Sequence, residues 1–226
     1  MRQPQIIIFL CCALAACSAR QTAPSVTRPV APENPAQALY KQRQSIIRSI
    51  DAWAFKGRAA VQRGSEGWSA TLHWRQQGNS FRLRIIAPLG RGTYEILRAD
   101  DQVSLIDADN NIYTATSPDE LFAKAIGWRL PISNIEFWIR GLLGPNESPS
   151  QLNLGADGLV KDFALHGWRV SILGYQPVSF PALSTSANKG TSTDQLAMPK
   201  KLFMNFDDTK VRVVINTWEL GSDDGE

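Results

Sequence analysis

From Trp53 onward, apolar side chains recur at every second position, the spacing at which a strand puts them all on one face of a sheet. Trp53, Phe55, Gly57, Ala59 and Val61 alternate with Ala54, Lys56, Arg58, Ala60 and Gln62. After a turn at Gly64-Ser65-Glu66-Gly67, residues Trp68, Ala70, Leu72 and Trp74 keep the period. Gln77-Gly78-Asn79 turns the chain again, and Phe81, Leu83 and Ile85 alternate with Arg82 and Arg84. Further strands are predicted over 92–99, 103–107 and 111–115, with Asp100-Asp101 and Asn110-Asn111 as turn residues. Short turns between such strands make an antiparallel meander with one apolar face, and helices lying over that face would turn it inward.

Two helical stretches interrupt the alternation and a third precedes it. Asn34-Pro35 can cap and open a first helix, with Leu39, Ile46, Ile47 and Ile50 on its apolar face and Lys41, Arg43 and Arg48 elsewhere. In the second, Ser117 is the expected N-cap, Pro118 the first helical residue and Glu120 the partner in a capping box. Its apolar face is Leu121, Phe122, Ala125 and Ile126, and Gly127 follows as the C-terminal stop. Pro131 opens the third, which carries Ile135, Phe137, Trp138 and Ile139 and ends at Gly141. Strands then resume over 159–165, 168–173, 201–205 and 211–218, and the polar stretch 184–195 is expected to be a loop. A strand-rich sheet with helices inserted midway suits a surface wrapped around something apolar. Of the seven Trp, Trp68, Trp74 and Trp128 sit beside Gly or polar residues, so some of them could line a surface or cavity, although core filling is the ordinary role of any single Trp.

The amino terminus carries a different signal. Arg2 precedes an apolar run over 6–14 that is far shorter than the roughly 20 residues needed to cross a bilayer. This is the pattern of a secretory signal peptide over 1–16. Leu14-Ala15-Ala16-Cys17 resembles the bacterial lipobox, which implies cleavage before Cys17 and lipid attachment to its thiol. In Gram-negative bacteria the resemblance further implies that Ser18 sends the lipoprotein to the outer membrane, where Asp would retain it in the inner one. Cys11 and Cys12 would leave with the signal, so the mature chain would hold no free thiol and no disulfide. Residues 17–34, with Pro24, Pro29 and Pro32, read as a lipidated terminus and flexible tether. Residues 35–226, about 190 in number, suffice for one domain with a sizeable core.

The chemistry of catalysis is missing from the pattern. His73 and His166, the only histidines, lie far apart, and no nucleophile-elbow, phosphate-loop or metal-ligand spacing occurs. Asp100-Asp101 and Asp207-Asp208 are explained as turns. The formal charge of +3 comes from interspersed residues, without the clustered Lys and Arg of a nucleic-acid surface. Neither an enzyme nor a cofactor, metal or nucleic-acid binder is expected.

A family resemblance rests on ordered blocks over most of the chain, from about Pro35 to Trp218. They are Trp53 with Gly57-Arg58, Trp74-Arg75-Gln76, Phe81-Arg82-Leu83 and Ala87-Pro88-Leu89-Gly90. Gly127-Trp128-Arg129-Leu130-Pro131-Ile132, Phe137-Trp138-Ile139-Arg140-Gly141, Gly167-Trp168 and Trp218 complete the order. Behind a lipobox, this set resembles the LolB family of lipoprotein receptors, although the insert over 184–195 looks longer than that family usually has. The resemblance implies an open, half-closed antiparallel β-barrel with a helical lid over an apolar cavity. It implies a monomeric receptor, lipid-anchored on the periplasmic face of the outer membrane, that takes acylated lipoproteins from the periplasmic carrier LolA and inserts them. A carrier or scaffold for another amphiphile, such as a glycolipid, is the alternative on the same fold.

With that implication, the alternating faces name acyl-cavity residues: Phe55, Val61, Trp68, Leu72, Trp74, Phe81, Leu83 and Ile85 from the strands. Leu121, Phe122, Ile135 and Trp138 would come from the lid. Pro88 and Gly90 force a turn, so Leu89 should stand exposed at its tip, with Arg91 beside it. The matching loop of the family faces the membrane.

Overall fold

The structure is a computed structural model, and it describes residues 34–99, 102–127, 130–181 and 193–221. The signal peptide, Cys17, the tether, the turn at Asp100-Asp101 and Trp128-Arg129 lie outside these residues.

The alternating segment forms six strands in succession: β1 (Ala52–Arg63), β2 (Glu66–Gln77), β3 (Ser80–Ile86), β4 (Thr93–Ala99), β5 (Gln102–Ile106) and β6 (Ile112–Ala115). The second half supplies β7 (Gln151–Leu154), β8 (Val160–Leu165), β9 (Trp168–Pro181), β10 (Thr193–Phe206) and β11 (Thr209–Leu220). Each half is an antiparallel meander. The halves join where β11 pairs with β1, giving one sheet in the order β6-β5-β4-β3-β2-β1-β11-β10-β9-β8-β7. The sheet is open: β6 and β7 are its edges. The fold is thus mostly β, antiparallel and not closed into a barrel, with a few helices.

Helix α1 (Pro35–Arg48) precedes β1, and α2 (Pro118–Ile126) and α3 (Ile132–Trp138) lie between β6 and β7. At α1 and α2 the local chemistry of the ends follows the expected pattern, while α3 ends at Trp138, short of the Gly141 expected to stop it. The Asn34 side chain accepts from the Ala36 N–H, the Ser117 hydroxyl accepts from the Glu120 N–H, and Gly127 caps the C-terminus of α2. The Asp119 carboxylate of α2 accepts from the Ser133 N–H at 2.8 Å, so one helix caps the start of the next.

The β1–β11 seam contains a bulge. Phe55 pairs with Trp218, but Gly57 pairs with Ile215, so β11 holds one extra residue between them. The buried positions of β11 accordingly switch phase, from Val211, Val213 and Ile215 to Trp218 and Leu220. Without the bulge, Trp218 would face water. A Cβ on Gly57 would lie 2.5 Å from the Val214 carbonyl oxygen, so only glycine permits this approach.

Five readings change. Leu39, expected on the buried face of α1, is 43% exposed; Tyr40, Arg43 and Ile47 are the buried residues, and the β7–β8 turn at Gly158 packs close to Leu39 and Tyr40. Arg43 therefore belongs to the packed face as well. Glu120 does not return to its cap: its carboxylate pairs with Lys124 at 2.7 Å and accepts from Thr116. The strands expected over 168–173 and 201–205 are longer, since β9 and β10 pair out to Pro181 and Thr193. Thr193 to Gln195, assigned to the polar loop, are therefore strand, while 182–192 lie outside the described residues. The short edge strand β7 had no alternating apolar signal beyond Leu152 and Leu154.

Gly57→Ala is expected to destabilise the domain by about 1–3 kcal/mol, because β11 must move to clear the new methyl group. Urea unfolding measures this as a lower midpoint with an unchanged slope.

Candidate functional site

The inner face of the sheet has two ends of different character. At one end stands an aromatic group. Trp53 and Trp74 stack at 5.8 Å, Phe55 lies 5.4 Å from Trp218, and Trp74 lies 4.9 Å from Phe81. Helix α3 closes this end with charge. The Glu136 carboxylate accepts from Arg98 Nη2 at 2.8 Å and from Gln76 Nε2 at 3.2 Å. Gln76 in turn accepts from Trp74 Nε1 at 2.9 Å and donates to the Gly78 carbonyl. Arg98 also lies over the Phe81 ring, and Arg140 over the Trp53 ring at 4.8 Å. Burial pushes the Arg140 guanidinium down to about 10, with Glu136 opposing the shift, so it stays protonated at neutral pH. These polar groups tie α3 to β2 and β4.

The other end is apolar and incompletely filled. Between sheet and helices lies a cavity of about 50 Å³. Phe55, Ala59, Val61, Trp68, Leu72, Trp74, Leu83 and Ile85 line it from β1 to β3. Met204, Val211 and Val213 line it from β10 and β11; Phe122, Leu130, Ile132, Ile135 and Ile139 cover it from the helical side. Trp68, Leu72 and Ile135 are only partly buried. That volume accommodates one or two waters at roughly 30 Å³ each. The space is small beside a long acyl chain.

Nine of the twelve side chains named from the alternation and the helices meet here: Phe55, Val61, Trp68, Leu72, Trp74, Leu83, Ile85, Phe122 and Ile135. Phe81, Leu121 and Trp138 are buried elsewhere. Phe81 sits under Trp74 and Arg98, and Trp138 packs edge-on against Phe163 at 5.6 Å. Met204 of β10 and Val211 and Val213 of β11 join them; the alternation of Val211 and Val213 signals the β11 contribution in the sequence. Leu130 and Ile132 bracket Pro131, and their short run gave no periodic signal.

Leu89 stands at the tip of the β3–β4 connection, 94% exposed. Pro88–Gly90 form a single 3-10 turn in which Leu89 takes the left-handed conformation, φ 58° and ψ 35°. For a residue with a γ-branched side chain this backbone is strained by about 1–3 kcal/mol. The turn is held from below, where the Ala87 N–H donates to the Gly92 carbonyl at 3.0 Å. Strand pairing puts the tip at the same end of the sheet as Trp68, since Ile86 pairs with Thr71 and Trp68 lies further along β2. The exposed leucine therefore stands at the apolar end of the cavity, away from the charged ties of α3. Lys56 and Arg82 point outward as expected.

The family described as outer membrane lipoprotein LolB matches residues 51–218. An outer-membrane lipoprotein LolB from Nitrosococcus oceani is 30% identical over 194 residues, which are 86% of this chain and 89% of that relative. A protein of the same name from Stutzerimonas stutzeri is 28% identical over 182 residues, 80% of this chain and 81% of its own length. The crystal structure of a DUF1329 family protein from Desulfovibrio piger superposes with a TM-score of 0.51 at 9% identity, covering 85% of this chain and 95% of that one. At that identity the likeness is one of fold alone.

Glu136→Gln is expected to loosen α3, because Arg98 and the buried Arg140 lose their counter-charge. Breaking one partner of such a pair destabilises by about 3–5 kcal/mol when fully buried, and by less here because Arg98 is partly solvated. Amide hydrogen exchange across 132–138 should quicken, and the urea midpoint should fall.

Proposed function

The chain belongs to the LolB family of outer-membrane lipoproteins, and we propose that it works as a receptor whose cavity shelters the acyl chains of lipoproteins on their way into the membrane. It resides in the outer membrane, held there by lipid. In this reading the lipid is on Cys17, residues 18–34 are the tether, and a single copy of the domain over 35–226 receives cargo from the periplasmic carrier LolA.

The observation that carries the reading is the chemistry of the cavity: every one of its lining side chains is hydrocarbon-rich, and none carries charge. Each acyl methylene left in water is disfavoured by about 0.8 kcal/mol, so a multi-chain lipid crosses an aqueous space only inside such a shelter. Loading a long acyl chain into so small a space would displace the cover. Sheet strands are held by continuous ladders, whereas α2 and α3 are short and joined to the sheet by side chains. The helical cover is thus the part that yields, with the ties at Glu136 as the closed end about which it moves. Delivery is favourable when the bilayer offers the acyl chains more than the cavity does.

Leu89 acts at that second step. Burying one leucine gains only about 1.5–3 kcal/mol, too little to anchor the protein but enough to bring the cavity mouth against the bilayer. Its strained backbone keeps the side chain pointing away from the core. Leu89→Glu should leave the fold and the acceptance of lipoprotein from loaded carrier unchanged and should block transfer into added liposomes. Delivery at the wild-type rate would remove Leu89 from the mechanism, and failure to accept any lipoprotein in the unmutated chain would remove the receptor reading itself.

A further inference from the structure

Six large apolar side chains are strongly exposed among the described residues, and two of them, Ile112 and Tyr113, stand on the hairpin next to the Leu89 turn. Ile112 is 69% exposed on β6, an edge strand. A single exposed aliphatic residue is ordinary on a protein surface; what sets Ile112 apart is its place beside the exposed Leu89.

The two loops are physically linked. β4 pairs with β5 through Glu95 and Ile106, which places the β5–β6 turn at the end of the sheet that bears Leu89. There Gly92, with φ +105°, faces Ala108 so closely that a Cβ on Gly92 would lie 2.2 Å from the Ala108 Cβ. The turn is also stiff. The Asp107 carboxylate accepts from the Asp109 and Asn111 N–H groups, from Asn111 Nδ2 at 2.9 Å and from the Tyr113 hydroxyl. Those bonds fold the Asp107 charge back onto its own hairpin and leave Ile112 outside it. Tyr113, apolar in the ring and polar at the hydroxyl, suits the headgroup level of a bilayer. The two loops bring charges of both signs, Arg91 against Asp107 and Asp109, to a surface that would meet zwitterionic headgroups.

We propose that the β5–β6 hairpin enters the phospholipid surface through Ile112, beside Leu89, so that the membrane is met by two locked loops rather than one. The proposal rests on the reading of Leu89 as a membrane-facing residue. It explains how one leucine can orient the domain: two contacts on a rigid pair of loops define an axis, and one contact does not.

The test uses the full lipidated chain in phosphatidylethanolamine-rich proteoliposomes, with an environment-sensitive dye on Leu89→Cys, Ile112→Cys or, as a control, Leu173→Cys. Blue-shifted emission and quenching by spin-labelled lipid are expected at 89 and 112 and not at 173. Quenching at 89 alone overturns the proposal and leaves the Leu89 reading intact; quenching at neither overturns both. In the same vesicles Ile112→Asp should slow delivery of a triacylated lipoprotein about tenfold, the scale of one buried aliphatic side chain, with acceptance from the carrier unchanged. Loss of acceptance from the carrier, with wild-type delivery by the same variant loaded directly with detergent-solubilised lipoprotein, would make the hairpin a carrier-docking element and overturn the membrane assignment.

Discussion

The pairing of β1 with β11 turns two meanders into one sheet, and the cavity exists because of that seam. Each meander alone has a narrow apolar face with a free edge. Joined, they present Phe55, Ala59 and Val61 beside Val211 and Val213 on a single inner surface. The bulge opposite Gly57 sets the phase: it lets the valines of β11 and the more distant Trp218 face inward together. A one-residue slip without it would send half of that set into water.

On this surface the two ends do different work. The aromatic end is filled and closed by hydrogen bonds that converge on Glu136, so it resists opening. The aliphatic end is under-filled, and its cover is anchored mainly by apolar contact. In the proposed reading an incoming acyl chain would replace one set of apolar contacts with another, so opening would be opposed chiefly by local order and by the loss of close packing. Release has the same character in reverse. On that reading lipid would be bound without demand for a particular headgroup, and direction would come from the relative affinity of carrier, cavity and bilayer for the same hydrocarbon.

Much of this arrangement is visible in the residues themselves. Alternation from Trp53 to Ile85 identifies the inward face, because a period of two leaves a strand only two choices and helices cover one of them. The Ser117-Pro118 start and the Pro88-Gly90 bracket report local backbone chemistry, which depends on few neighbours. What local pattern does not report is partnership across the chain. Gln76 and Glu136 are 60 residues apart, and nothing near either one announces the other. Leu39 and Tyr40 illustrate the same limit: they are neighbours on α1, and only the packed structure shows that Tyr40 is the buried one. The phase change in β11 was written in the spacing of Ile215 and Trp218, but it acquires meaning only opposite Gly57. The left-handed backbone of Leu89 is likewise a product of the turn as a whole.

The central claim is that the acyl chains of a lipoprotein occupy the inner face of β1 to β3 beneath α2 and α3. Site-specific photo-crosslinking tests it most directly, with a photoreactive residue at Leu83 or Leu72 on the inner face and at Arg82 or Lys56 on the outer one. After loading with a lipoprotein carrying radiolabelled acyl chains, label should attach at 83 and 72 and be absent at 82 and 56. Label confined to the outer positions, or equal on both faces, would contradict the account.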